Sequence, residues 1–193
     1  MRRLGDRAWR IDRPPGVSAR ALFARVRGWE GVVDAVVTER HVAAYFATES
    51  VPDARAVARL GEPTGPEAPA REHVLRVRYD GQDLGAVADR AGLEVRDVID
   101  LHASATYEVA MMGFVPGFAY LSGLDPRLVM PRREGPRARV PAGAVAIGGP
   151  YTGVYPGPSP GGWHLLGHTS TSLMDAAGAV LDLGDRVRFV REA

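Results

Sequence analysis

Apolar and polar positions along the chain change their period several times, and each change predicts an element. "RAWRID" alternates in the manner of a strand. After Pro14-Pro15-Gly16, residues Val17, Leu22 or Ala21, Val26 and Trp29 fall near helical spacing, with Ser18 placed as an N-cap. "GVVDAVVTE" and "HVAAYFATE" are β-branched or aromatic runs joined by the polar Glu39-Arg40, the pattern of a hairpin. "VPDARAVARLG" reads as a short helix ending at Gly61. The order strand, helix, strand, strand, helix predicts a small α+β unit with helices on one face of an antiparallel sheet.

"GEPTGPEAPARE", Gly61 to Glu72, then interrupts all periodicity with Pro, Gly and Glu, as a linker does. An N-terminal domain of residues 1–70 and a C-terminal domain of residues 71–193 are expected on either side. The second opens with an alternating strand, "HVLRVRY", followed by two short helices, "LGAVADRAG" and "EVRDVIDLHAS". Asp83 is placed to cap the first, and Gly92 to end it. In the second, Val95, Val98, Ile99 and His102 share one face, so His102 is expected to be buried or half-buried. From "TYEVAMMGF" onward, short apolar runs alternate with Gly and Pro: "FAYL", "AVAIGG", "GVYP", "WHLLG" and "VRFV". Many short strands between tight turns predict a compact β-barrel or sandwich. Gly184-Asp185 is the expected turn into the closing strand.

Composition narrows the chemistry. The chain has 193 residues, 24 basic and 23 acidic, so it has no large cationic field for nucleic acid or an anionic membrane. Every basic residue is Arg. Without Lys there is no Walker A loop and no Schiff base. Without Cys there is no disulfide, thiol nucleophile or thiolate metal site. No apolar h-region opens the chain, and no apolar run is long enough to span a bilayer. A cytoplasmic protein is the expectation.

Gly157-Pro158-Ser159-Pro160-Gly161 fits G-x-S-x-G, the pattern of a nucleophile elbow. The residue after such a serine donates its N–H to the oxyanion, and Pro160 has none. A rigid turn into a strand is therefore expected. His164 and His168 lack a third ligand at a telling spacing, so a structural or substrate-lining role is expected, and no metal. Arg132 and Arg133 read as a solvated loop. Arg137 and Arg139 lie two apart on an extended segment, point the same way and suit a carboxylate or phosphate. Phe114, Pro116, Phe118 and Tyr120 crowd one stretch. They are either barrel core or the rigid wall of a site.

The long Gly/Pro string from "GFVPGFAYLSGLDP" through "VPAGAVAIGGPYTGVYPGPSPGGWHLLGHTS" resembles the allophanate hydrolase subunit 1 family, also called the KipI or PxpB family. The likeness is strongest from His102 to Thr169 and covers nearly the whole chain. It implies an α+β fold, with a small N-terminal α+β domain followed by a cyclophilin-like β-barrel. It also implies the B subunit of an ATP-dependent 5-oxoprolinase, which converts 5-oxo-L-proline to L-glutamate. The implied partners are a C-type subunit (allophanate hydrolase subunit 2 or KipA-like) and a LamB/YcsF-type A subunit, and activity is expected only with them. Two alternatives follow from the same resemblance. One is a KipI-like inhibitor of a sensor histidine kinase. The other is a carboxyltransferase-like component of a urea carboxylase or allophanate hydrolase system, which needs a biotin carrier. For the first reading, Arg137, Arg139 and His102 are the candidate catalytic residues. Phe114, Pro116, Phe118, Tyr120, Tyr151 and His168 are the candidates for substrate binding. At Tyr151 and His168 many relatives carry Gln and Arg.

Overall fold

The computed structural model describes residues 1–63, 65 and 67–192, so Thr64 and Pro66 of the expected linker lie outside the described residues. The chain divides into two compact units, Met1–Pro69 and Ala70–Ala193.

The first unit runs β1 (Arg2–Arg3), β2 (Ala8–Asp12), α1 (Ala19–Arg27), β3 (Val32–Val37), β4 (His41–Phe46) and α2 (Ala54–Ala58). Its sheet is antiparallel in the order β1-β2-β4-β3. Ser18 caps α1 by accepting from the Ala21 N–H at 3.0 Å, as its position predicts. Leu22 and Val26 on α1 are fully buried, and α1 packs on β3 and β4, whose Val37, Val42 and Ala44 are buried as well. Each such Leu or Val contributes about 1.5–3 kcal/mol by leaving water. Asp53 caps α2 through the Ala56 N–H.

The second unit continues with β5 (Glu72–Val77), α3 (Leu84–Ala91), α4 (Val95–Ser104), β6 (Thr106–Met112), β7 (Ala119–Ser122), β8 (Arg137–Val140) and β9 (Ala144–Gly148). It ends with β10 (Tyr151–Val154), β11 (Ser159–Gly161), β12 (His164–His168), β13 (Met174–Asp175), β14 (Gly178–Ala179) and β15 (Arg186–Arg191). Seven of these strands form one sheet in the order β12-β9-β10-β7-β6-β15-β5. In β15 the alternation holds from Arg186 to Phe189: Val187 and Phe189 point into the core while Arg186 and Arg188 stay exposed. All five residues of β9 are buried.

This sheet curls until its two ends meet. Just past β5, Arg78 exchanges two 2.9 Å backbone hydrogen bonds with His168, the last residue of β12. The Gly81 N–H then donates to the Leu166 carbonyl and the Asp83 N–H to that of Leu165. Close approach at this seam requires glycine. A Cβ on Gly81 would overlap the Leu165 carbonyl, and one on Gly167 would overlap the Arg78 carbonyl. The fold is thus α+β, with a small α+β unit followed by a nearly closed, barrel-like sheet.

Candidate functional site

The β6–β7 connection, residues 113–118, is a tight loop closed by the Gly113 N–H on the Phe118 carbonyl and the Phe118 N–H on the Val115 carbonyl. Phe114 within it has φ +76°, the one positive φ on a non-glycine among the described residues. A bulky side chain in this region is held at a cost of about 1–3 kcal/mol. The ring gains little burial in exchange, being 57% exposed. The strain therefore presents an aromatic ring to the surface.

Beneath it lies an aromatic nest. Phe118 is its centre, edge-on to Phe114 (5.5 Å between centroids), Tyr120 (5.2 Å), Tyr155 (5.3 Å) and Trp163 (5.3 Å). Tyr120 in turn meets Tyr151 and Trp163 edge-on, each at 5.6 Å. Such edge-to-face pairs fix ring orientation beyond what burial alone does. The Arg132 guanidinium lies 5.9 Å from the Trp163 ring centroid, in cation–π range. A small depression of about 50 Å³ opens among Phe114, Phe118, Tyr120, Arg132, Tyr155 and Trp163, with Gly161 and Gly162 also in its lining.

Four of the residues expected to bind substrate, Phe114, Phe118, Tyr120 and Tyr151, therefore come together. Pro116 lines a neighbouring depression with Val115, Pro156, Pro158, Ser159 and Met174. His168 lines a third hollow with Thr169, Ser170, Thr171 and Ser172 that Tyr155 and Pro156 also border, and there its Nε2 donates to the Ala142 carbonyl at 3.1 Å. Trp163, Tyr155 and Arg132 were not among the expected site residues. Their signal was present, since Trp163 directly follows Gly161-Gly162 at the start of a predicted strand.

Arg137 and Arg139 do not act as a pair. Arg137 turns to Asp83, donating from Nη2 to Oδ1 at 2.7 Å, and also donates to the Trp163 carbonyl. Arg139 is exposed. Arg133, expected in a solvated loop, also reaches Asp83, at 3.0 Å, and so does the Leu165 N–H, at 2.7 Å. This corrects the reading of Asp83 as a helix cap. It stands at the N-cap position of α3, but its side chain makes no capping bond and is spent on the barrel. Burial pushes the Asp83 carboxyl up. The Arg137 hydrogen bond, the Leu165 N–H and the charges of Arg137 and Arg133 together carry it below the ordinary carboxylate range.

His102 is wholly buried against Phe189, with ring centroids 4.6 Å apart. Its tautomer follows from its neighbours. The Thr152 hydroxyl gives its proton to the Ala146 carbonyl, so toward His102 Nε2, 2.8 Å away, it accepts. Nε2 therefore carries the proton, and Nδ1 accepts from the Tyr79 hydroxyl at 2.8 Å. Burial pushes the imidazole down to about 3, so it is neutral near pH 7. Both nitrogens are occupied inside the protein, and the placement gives His102 no route to a ligand at the surface. Ser159, expected in a turn, lies in the short strand β11 beside β8.

Among the described residues, no three His, Cys, Asp or Glu side chains gather as a metal set, and no helix is long and apolar enough to cross a membrane.

Known proteins share this architecture. The family model described as carboxyltransferase domain, subdomain C and D, matches residues 1–180. The chain is similar to the B subunit of 5-oxoprolinase from Escherichia coli O157:H7, 54% identical over 113 residues, which are 57% of this chain and 52% of that protein. It is similar to the protein of the same name from Haemophilus influenzae, 47% identical over 115 residues, 58% of this chain and 54% of that one. The matches thus span about half the length of these curated relatives. The solved structure of TTHA0988 is similar over 97% of this chain and 40% of that chain, with a TM-score of 0.81 and 36% identity. The urea carboxylase of Kluyveromyces lactis aligns over the full chain and 21% of its own, with a TM-score of 0.73. At 18% identity it shares the fold.

Proposed function

This chain belongs to the carboxyltransferase domain, subdomain C and D, family, and from that premise we propose that it is a component of a 5-oxoprolinase-type complex, opening 5-oxo-L-proline to L-glutamate at the expense of ATP. The relatives named as the B subunit of 5-oxoprolinase support this reading. The observation that carries it is the strained, exposed Phe114 over the aromatic nest, with Arg132 at the rim. A compact ring fits edge-on aromatic walls, and a carboxylate pairs with a guanidinium.

In this reading Phe118, Tyr120, Tyr151 and Trp163 form the floor, and Phe114 closes over it. Arg132 meets the carboxylate. Arg137 and His102 hold the walls: the first ties β8 to α3 through Asp83, and the second joins Tyr79 to Thr152 across the core. A lactam is a poor electrophile, and phosphoryl transfer from ATP to its oxygen supplies the activation. The cations fit a nucleotide poorly. Of the four arginines in residues 132–139, Asp83 engages Arg133 and Arg137, which leaves Arg132 and Arg139, and without Lys the chain has no Walker A loop. Nucleotide is therefore assigned mainly to the C-type and A-type partners.

The test is glutamate formation from 5-oxoproline and ATP by the complex reconstituted with partner proteins from the same genome, beside a working control complex. Glutamate formed only when this chain is included supports the proposal. A silent complex beside an active control rejects it.

A further inference from the structure

Among the described residues, Ser159 Oγ is the buried side-chain polar atom left without a hydrogen-bond partner. Leaving a buried hydroxyl unpaired costs about 1–3 kcal/mol, so its position asks for a reason. Ser159 lines a depression of about 190 Å³ whose other walls are Val115, Pro116, Pro156, Gly157, Pro158 and Met174. None of these side chains carries a charge or a hydrogen-bonding group other than the thioether. The prolines bring no N–H either, so this wall has one polar side chain.

Four of these walls are stiff. Val115 and Pro116 belong to the same strained loop that presents Phe114, and Pro156 and Pro158 have a fixed φ. Met174 is the exception. Its thioether lies against Gly117, where a Cβ would overlap the sulfur, so the side chain occupies space that glycine leaves free. Methionine changes rotamer readily and is suited to give way.

We propose that this depression is a subsite for the uncharged carbonyl edge of a small ring, whose oxygen accepts from the Ser159 hydroxyl once Met174 moves aside. Five-membered lactams are the class it fits best. The inference rests on the reading above to the extent that it names the substrate's lactam carbonyl. The lactam ring lies between Pro116 and Pro156, and the carboxylate of such a substrate stays outside, toward the neighbouring depression that holds Arg132. The two depressions are flanked by the same two chain segments: Phe114 and Val115 are consecutive, as are Tyr155 and Pro156. A charged group has no partner in the Ser159 subsite, which selects for the neutral edge of the ring.

The experiment is a titration of the full chain, labelled with ¹³C at the methionine methyls, with 2-pyrrolidinone, cyclopentanone and cyclopentane, each followed at the Met174 resonance. The first two share a carbonyl, and the last lacks it. Expected are shifts of the Met174 methyl with both carbonyl compounds, and little with cyclopentane. In Ser159→Ala the carbonyl compounds bind about tenfold more weakly, the loss of one hydrogen bond. The same variant unfolds at an equal or higher temperature, because it deletes an unpaired buried hydroxyl. That outcome separates a ligand-binding serine from a structural one. Equal affinity in Ser159→Ala, equal shifts with cyclopentane, or no shift of Met174 with any probe each overturns the subsite. If the carbonyl compounds bind in a Ser159-dependent way while the reconstituted complex makes no glutamate, the subsite stands and the 5-oxoprolinase reading falls.

Discussion

Asp83 Oδ1 accepts from Arg137 Nη2 at 2.7 Å, and this contact joins the start of α3 to the start of β8 across 54 positions of sequence. The same carboxylate holds Arg133 and the Leu165 N–H, so one buried group ties a helix, a loop and two strands. Removing its charge leaves the poorly exposed Arg137 guanidinium unmatched. Asp83→Asn is expected to lower stability by about 3 kcal/mol, read from urea unfolding. A loss within experimental error would mean that water takes the carboxylate's place.

The arginines differ in what they hold, and their variants should separate accordingly. Arg132 lies over Trp163 and makes no ion pair with Asp83, so Arg132→Ala is expected to change stability by less than about 0.5 kcal/mol. Its complex should nevertheless make glutamate at least about tenfold more slowly, as the loss of a charged hydrogen bond implies. Arg137→Ala should lose both stability and activity. Thermal unfolding and glutamate release, measured on the same preparations, decide the matter.

Phe114 is strained where glycine is not. Phe114→Gly relieves the positive φ and is expected to raise stability by about 1 kcal/mol, seen as a higher unfolding midpoint. The complex carrying it should lose activity, because the ring that closes over the nest is gone. Phe114→Ala keeps the strain without the ring and should gain no stability.

His102 couples the core to pH. Its folded value is pushed down to about 3 by burial, from 6.5. Between those values the unfolded chain binds a proton that the folded chain refuses, so stability rises with pH across this window. The stabilisation is full above 6.5 and is lost as pH falls toward 3. Asp83 and Asp185 are also lowered, and their contribution is lost only as pH falls below the ordinary aspartate value of 3.8. Unfolding midpoints taken from pH 7 to 5 should therefore fall in the native chain and fall less steeply in His102→Gln. Equal slopes would show that the imidazole takes up a proton within the folded core.

The seam of the barrel tolerates no side chain at Gly167, where a Cβ would overlap the Arg78 carbonyl. Gly167→Ala is expected to cost about 3 kcal/mol, at the upper end for overpacking. Hydrogen exchange should show the Arg78 and His168 amides losing protection first. Retained protection with a small loss of stability would mean that the seam can spread.

Much of the architecture was legible from periodicity alone. Ser18 and Val26 signalled α1 correctly, and β15 showed its alternation in Val187 and Phe189, because local pattern and burial agree there. The aromatic stretch from Phe114 to Tyr120 was legible as a cluster but left open between core and site. The structure buries Phe118 in the core and displays Phe114 at the surface. What stayed hidden were relations between distant positions. Asp83 looks like a cap to any local reading, since nothing near it in sequence announces Arg137. Arg137 and Arg139 share a direction on a strand, yet one is drawn to Asp83 and the other is left outside. Ser159 drew notice as a nucleophile, and only its surroundings show a hydroxyl without a partner.

The position of β15 sets an order on folding. It lies between β6 and β5, pairing antiparallel with the first and parallel with the second. The opening strand of the barrel therefore has no neighbour along its length until residues 186–191 have been made. On the ribosome, α3, α4 and the β6–β7 hairpin can form early, while β5 waits through more than a hundred residues of synthesis. A strand whose Leu75 and Val77 stay uncovered for that interval is a place where a chaperone would bind and where a stalled chain would aggregate.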